Sequence, residues 1–198
     1  MSECSLERFF PEQCERLGIQ ASNIGRLHAR RHYERYRKVA FLLKPHISSE
    51  DVVGDIGCGS GYGTMLLNAA LYGNVRDLWG FDVDRDAIEY ARIKYDASVF
   101  STSLPCSPSI AVMVESIEHM KPEDFDRYTE KSRLICLTTP LILEPTNPVH
   151  ITPYRTDGEI AKFLNRRGWA FITAMKDYNI EFTTGERGDQ FYGVLRRG

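Results

Sequence analysis

The residues with the clearest chemical use are three glycines at alternate positions, Gly57, Gly59 and Gly61, after an apolar segment that contains Asp55. Glycines at this spacing allow positive φ angles and let a ligand approach main-chain N–H groups. The spacing is not the Gly-x-Gly-x-x-Gly of dinucleotide sites, because neither register has a glycine at its sixth position. A strand carboxylate would repel a pyrophosphate but pair well with an ammonium. The segment therefore predicts a strand, loop and helix that bind a ligand.

A second acidic position follows at the end of the next apolar segment, residues 77–81. Asp82 lies at the distance past the glycine loop where a carboxylate can accept hydrogen bonds from both hydroxyls of a ribose. Asp84 is predicted to cap the following helix, because a short acidic side chain satisfies free amides at a helix start. Val83, between them, would then lie against a nucleoside base.

These two motifs resemble motifs I and II of class I S-adenosylmethionine (SAM) methyltransferases, and the resemblance covers about residues 50–198. It implies an α/β, Rossmann-like, seven-stranded and mostly parallel sheet with helices on both faces and a C-terminal antiparallel hairpin. It also implies SAM as the cofactor. The residues that the resemblance assigns to the cofactor are Asp55, Gly57, Cys58, Gly59, Gly61, Tyr62, Asp82, Val83 and Glu115.

The adenine-binding stretch departs from this family. An acidic residue usually follows the third strand and contacts the adenine amino group, but residues 97–108 contain no acid. Hydroxyl groups are the available substitutes, and we predict that Ser101 and Thr102 contact the adenine.

Glu115, Glu118 and His119 have the spacing Glu-x-x-Glu-His, directly after an apolar run at residues 110–114 that is typical of a buried parallel strand. Ligands of open α/β sheets bind at the carboxyl ends of such strands. The spacing predicts that the three side chains share one side of a helical turn, where they could hold a divalent ion. In the alternative interpretation, the acids stabilise a helix N-terminus and His119 shapes the pocket.

The same motif occurs in O-methyltransferases of ubiquinone synthesis and in 2′-O-methyltransferases of small-RNA 3′ ends. Both resemblances imply that Mg²⁺ or Mn²⁺ grips the hydroxyls of the substrate. His150 lies in a long loop after the fifth strand and is either a fourth ligand beside Glu115, Glu118 and His119, or a general base. The residues predicted to carry the chemistry are Glu115, His119 and His150.

The N-terminal region, residues 1–45, is predicted to form a helical cap or lid, and residues 46–198 the methyltransferase core. Tyr33, Tyr36, Ala40 and Leu43 form an apolar stripe, with the arginine-rich remainder of the helix in solvent. The pattern His-x-x-Arg-Tyr that ends at Tyr36 is similar to one in methyltransferases linked to sugars and polysaccharides. In that subgroup the segment faces the active site.

Composition limits the alternatives. The 198 residues carry a formal net charge of −2, which gives no general case for nucleic-acid binding. Five scattered cysteines form no Cys-x-x-Cys pair, so neither a disulfide framework nor a thiolate metal site is indicated. No apolar run is long enough to span a membrane, and a cytoplasmic location is expected.

The sequence predicts a SAM-dependent methyltransferase that acts on an oxygen or nitrogen of a small-molecule acceptor, such as a sugar or another metabolite. Two alternatives stay open: a 2′-O-methyltransferase of RNA 3′ ends, and a SAM-binding interaction protein without catalysis. The pattern does not specify an oligomeric state.

Overall fold

A computed structural model describes residues 21–95, 99–104, 107–142, 150–181 and 187–198. Its centre is one seven-stranded sheet with the strand order β3-β2-β1-β4-β5-β7-β6. The strands are β1 Val52–Ile56, β2 Asp77–Phe81, β3 Phe100–Ser101, β4 Ile110–Val114, β5 Leu134–Leu141, β6 Trp169–Glu181 and β7 Arg187–Arg197. Pairs from β3 to β5 are parallel, whereas β7 is antiparallel to both β5 and β6. The predicted α/β sheet and its C-terminal hairpin are confirmed.

Five α-helices connect and cover the strands in the described part of the chain. They are α1 Ala21–Leu43, α2 Tyr62–Leu71, α3 Arg85–Lys94, α4 Pro122–Thr129 and α5 Asp157–Asn165. The helix cap predicted at Asp84 is confirmed. Asp84 accepts hydrogen bonds from the N–H groups of Asp86 and Ala87 at the start of α3. At the start of α5, Thr156 accepts a bond from Glu159 N–H, as in a capping box.

Apolar side chains cover both faces of the sheet. One cluster joins α1 and α2 to residues such as Val112, Cys136 and Val194, and the other joins α4 and α5 to residues such as Met113 and Leu137. The alternation along β4 and β5 follows from the period of two in a strand. Among the described residues, no helix is long and apolar enough to cross a membrane.

The first helix differs from the prediction in two respects. Tyr36, Ala40 and Leu43 are buried as expected, but Tyr33 is 40% exposed. Arg35, which was assigned to the solvated face, is only 6% exposed. The second half of α1 is therefore part of the core, while residues 1–20 of the predicted lid lie outside the described residues.

Candidate functional site

The glycine loop between β1 and α2 has the backbone that its spacing predicts. Gly57, Gly59 and Gly61 have φ angles of 80°, 52° and 80°. A Cβ at Gly57 would lie 2.5 Å from Ser116 Cβ, and one at Gly61 would lie 2.6 Å from the Phe100 ring. At Gly59 no atom lies within 4 Å of that position. The outer glycines therefore permit close packing, and Gly59 borders open space that a ligand could enter.

Cys58 and Tyr62 lie on either side of this open position. Cys58 is buried, and burial raises the pKa of its thiol, so the side chain is neutral and points away from solvent. Its N–H donates to Phe81 O, which fixes the loop to the end of β2. Tyr62, at the start of α2, is partly exposed. Of the two predicted contacts, the Tyr62 side chain is the accessible one.

Asp55 lies beneath the loop and is fully buried. Its Oδ2 accepts hydrogen bonds from Thr64 Oγ1 at 2.7 Å and from Tyr36 Oη at 3.2 Å. Burial raises the pKa of Asp55 to about 7, although the two hydroxyls oppose this rise. For the predicted pairing, a ligand ammonium therefore has to pass Tyr36 or Thr64 to reach the Asp55 carboxylate.

Asp82 stands at the end of β2, beside the open position. Its Oδ2 accepts a bond from Gly59 N–H at 2.8 Å, and its Oδ1 accepts one from Asp84 N–H at 2.9 Å. The adjacent Val83 is 72% exposed. A half-buried carboxylate next to an exposed apolar side chain is a fitting surface for a ribose and its base.

Ser101 and Thr102 are at the same edge of the sheet. Asp82 N–H donates to Ser101 O at 3.3 Å, so the end of β3 adjoins the predicted ribose site. Ser101 Oγ accepts a hydrogen bond from Ser103 N–H at 3.1 Å, while Thr102 is exposed. The Thr102 hydroxyl is thus the more accessible of the two predicted adenine contacts.

Glu115 follows β4. It lies on the other side of the switch point from Asp82, and the strand order reverses at this point, between β1 and β4. It is the one non-glycine residue with positive φ among the described residues, at 55°. Its Oε1 accepts hydrogen bonds from Thr138 Oγ1 at 2.9 Å and from Gln190 Nε2 at 2.6 Å. Its Oε2 lies 3.5 Å from Arg35 Nη2 in an ion pair.

Glu118, His119 and His150 form a separate group. One potential ligand atom from each lies within 4.8 Å of the others, and the two imidazole centroids are 4.9 Å apart. Glu118 is buried and accepts a bond from Thr139 Oγ1 at 2.9 Å, while His119 is exposed and His150 half-buried. Burial and the charge of Glu115 raise the pKa of Glu118. Thr152, in the described part of the segment after β5, donates its N–H to Glu118 O.

Three of the four predicted metal ligands come together in this group, whereas Glu115 has other hydrogen-bond partners. Glu115 is bound to Thr138 and Glu118 to Thr139, and consecutive residues of β5 point to opposite faces of the sheet. Within residues 115–119 the helical part is the 3₁₀ turn Ile117–His119, so Glu115 does not share a turn with Glu118. The structure brings together Glu118, His119 and His150 without Glu115.

Four side chains of the site were not among the predicted site residues. Arg35 and Tyr36 belong to the His-x-x-Arg-Tyr pattern, which pointed to this region without showing that they contact Glu115 and Asp55. Thr138 and Gln190 have no place in the sequence prediction. Thr138, a polar residue within the mostly apolar β5, was the available signal, because a buried polar group requires a partner.

Comparison with known proteins identifies the fold. No family model and no curated protein matches the chain. A SAM-dependent methyltransferase from Methanosarcina mazei matches 79% of this chain and 96% of its own, with a TM-score of 0.60 and 16% identity. Magnesium protoporphyrin IX methyltransferase from Synechocystis PCC 6803, solved with bound S-adenosylhomocysteine (SAH), matches 84% of each chain, with a TM-score of 0.61 and 16% identity.

A third similar structure is geranyl diphosphate C-methyltransferase from Streptomyces coelicolor, solved with Mg²⁺, a substrate analogue and SAH. It matches 80% of this chain and 75% of its own, with a TM-score of 0.58 and 12% identity. These similarities define the class by fold: the chain has the Rossmann-like fold of class I SAM-dependent methyltransferases.

Proposed function

We propose that this protein transfers a methyl group from SAM to an oxygen or nitrogen of a small-molecule acceptor. The observation that carries the proposal is the arrangement around the switch point, where Asp82, the open position at Gly59 and Glu115 lie at the ends of neighbouring strands. This crevice is where open α/β sheets bind ligands. The matching folds of known methyltransferases support the same assignment.

The proposed cofactor site runs from β2 to β4. Asp82 holds the ribose hydroxyls, Val83 lies against the base, and the loop at Gly59 accommodates the amino-acid end. Asp82 Oδ2 already accepts a bond from Gly59 N–H, and the carboxylate has further lone pairs for the ribose hydroxyls. When bound, SAM supplies an electrophilic methyl on a sulfonium that leaves as SAH. With the nucleoside end at β2, the reactive end faces β4 and Glu115.

Glu115 is the proposed proton acceptor for the attacking group. Its Oε2 is 3.5 Å from Arg35, beyond usual hydrogen-bond length, so this oxygen can accept a bond from an O–H or N–H of the acceptor. The remaining contribution is the positioning of the acceptor, which in a buried site accounts for a large share of the rate. His119 and His150 lie beside Glu118, which follows β4, and would contact the acceptor.

The group formed by Glu118, His119 and His150 also supports the proposal that a divalent ion binds here. Two imidazoles and one carboxylate suit Mn²⁺, Fe²⁺ or Zn²⁺ better than Mg²⁺, which prefers oxygen ligands. Glu118, His119 and His150 would hold the ion, and a cation would offset the burial of the Glu118 carboxylate. Such an ion would lower the pKa of an acceptor hydroxyl and orient it.

Metal titration tests this part separately. We expect saturable binding of Mn²⁺ or Zn²⁺ by calorimetry, lost in His150→Ala and retained in His46→Ala, whose histidine lies in the 3₁₀ turn after α1. Equal binding by both variants would contradict the metal site. It would leave His119 and His150 as residues that shape the acceptor pocket.

Release of SAH during incubation with SAM and an acceptor panel tests catalysis. The panel contains sugars, sugar nucleotides, catechols and an RNA oligonucleotide with a free 3′-terminal ribose. Acceptor-dependent SAH that falls at least tenfold in Glu115→Gln supports the proposal. Turnover of the RNA alone would favour the RNA 3′-end alternative, and SAM binding without any turnover would favour the non-catalytic alternative.

A further inference from the structure

Arg35 is the buried cation nearest to the proposed reaction centre. Its side chain is 8% exposed, Nε donates to Gln190 Oε1 at 3.2 Å, and Nη2 lies 3.5 Å from Glu115 Oε2. A buried guanidinium is retained only with partners, because its desolvation is otherwise costly. Both partners of Arg35 also contact each other, through the bond from Gln190 Nε2 to Glu115 Oε1. The three residues form a closed polar group that links α1, β4 and β7.

This group holds Glu115 in an unusual conformation. A non-glycine residue at φ 55° is strained and persists where its surroundings fix it. Thr138 and Gln190 hold Oε1, so the carboxylate cannot rotate without losing two hydrogen bonds. The other carboxylate oxygen, Oε2, faces Arg35 at the distance of an ion pair rather than of a hydrogen bond.

Glu115 is also adjacent to the glycine loop. The next residue, Ser116, donates to Ile56 O at 2.8 Å, and a Cβ at Gly57 would meet its Cβ. Any ligand that extends from Asp82 across the loop therefore ends near Glu115. The charge on this carboxylate, and the cation that faces it, act on the reactive end of such a ligand.

We infer that Arg35 is a positioning and specificity-determining residue for methyl transfer, which orients Glu115 and offsets its charge. This inference depends on the proposed function. The pair offers a hydrogen-bond acceptor without a net negative charge. It therefore favours acceptors whose nucleophile is an uncharged hydroxyl or N–H, and gives little attraction to an ammonium group.

The test uses two cofactor analogues and needs no acceptor. In sinefungin an ammonium-bearing carbon replaces the methylsulfonium of SAM, whereas SAH is uncharged at that position. The ratio of the two dissociation constants therefore reports the electrostatic environment at the reactive end. Calorimetric titrations of both analogues would be compared in wild type, Arg35→Met, Arg35→Lys, Glu115→Gln and the double variant Arg35→Met/Glu115→Gln.

We expect Arg35→Met to shift the ratio in favour of sinefungin by about tenfold, because an unopposed carboxylate near the ammonium attracts it. Glu115→Gln should shift the ratio the other way. Arg35→Lys should stay near wild type because it retains the charge. The double variant should lose the effect of Arg35→Met, which isolates the interaction between the two residues.

Lys38→Met is the matched control, since Lys38 lies three residues further along α1 and pairs with Asp177. It should leave the ratio unchanged. If Arg35→Met weakens the binding of both analogues by the same factor, the ratio is unchanged. Arg35 is then merely structural, and the inference is overturned. If Arg35→Met does not fold, an unchanged ratio in Glu115→Gln overturns it. If wild type binds neither analogue, the proposed function itself fails.

Discussion

At the residue scale, Gly63 is a position where the absence of a side chain is required for packing. A Cβ at this position would lie 1.9 Å from Tyr36 Cζ, and Tyr36 is the buried hydroxyl donor to Asp55. Gly63 is the second residue of α2, where an alanine would otherwise favour the helix. The close contact between α1 and α2 thus takes precedence over helix propensity.

Gly63→Ala is expected to destabilise the protein by about 3 kcal/mol, since the Tyr36 ring has to move. Gly158→Ala is a matched control at the second residue of α5, where the nearest atom to a new Cβ is Thr156 Oγ1 at 3.7 Å. Urea denaturation should show no loss, or a small gain, for that variant. Equal stability of the two variants would contradict the packing described for Tyr36.

Asp55 should make stability depend on pH. Burial raises its pKa from 3.8 to about 7, so between these values the unfolded chain is ionised while the folded chain keeps the proton. The free energy of unfolding therefore falls as pH rises from about 4 to 7. Relative to Asp55→Asn, wild type should lose up to about 4 kcal/mol over this range without ligand.

Urea denaturation of both proteins across this pH range measures the effect. A difference between them that does not change with pH would mean that Asp55 keeps an ordinary pKa in the fold. The Asn variant should also bind SAM more weakly, because it lacks the charge for the ammonium.

At the scale of elements, the second half of α1 belongs to the sheet domain. Val39 and Leu43 are fully buried against it, and Arg35 and Lys38 pair with Glu115 and Asp177. Leu43→Ala should therefore cost about 2–5 kcal/mol of stability. Phe41→Ala, at a side chain 77% exposed, should change it by less than about 0.5 kcal/mol. If both variants have similarly small effects in thermal or urea denaturation, the second half of α1 is instead a lid that can detach from the sheet.

The amino ends of β1, β4 and β5 are tied by one carboxylate. Asp51 is buried, which raises its pKa, but bonds from Arg133, Ser109 and Ser48 outweigh burial and lower the pKa to about 2. This stabilisation is present above pH 4 and is lost as pH falls toward 2, by about 2 kcal/mol.

Arg133→Met should reduce stability at pH 7 and flatten the acid dependence. Arg127→Met, which breaks an exposed pair with Asp124, should do neither. Acid titration of the urea midpoint distinguishes the two variants. If they behave alike, Asp51 is not the link between these strands.

The parts of the site that could be predicted are those encoded locally. The glycine loop and Asp82 each depend on a few consecutive residues, and so does the Asp84 cap, so spacing alone located them. The different hydrogen-bond partners of Glu115 and Glu118 could not be predicted, because Thr138 and Thr139 lie more than 20 residues away in sequence. The burial of Arg35 likewise depends on Gln190, 155 residues away in sequence.

At the scale of the whole molecule, the sheet determines where chemistry can occur. The strand order reverses between β1 and β4, and the proposed cofactor and acceptor groups lie on the two sides of that point. The antiparallel β7 supplies Gln190 to the acceptor side, so the hairpin that closes the sheet also contributes to the site. Residues far apart in the sequence thus meet at one crevice through α1, β4 and β7.

Calorimetric titration of the protein with SAM, in wild type, Asp82→Ala and Asp84→Ala, tests the central claim most directly. Wild type should bind one SAM per chain. Asp82→Ala should weaken binding at least tenfold, because hydrogen bonds to a charged group are worth about 1.5–3 kcal/mol. Asp84→Ala, which removes only the cap of α3, should bind nearly as well as wild type. A folded wild-type protein that does not bind SAM, or equal losses in both variants, would contradict the account.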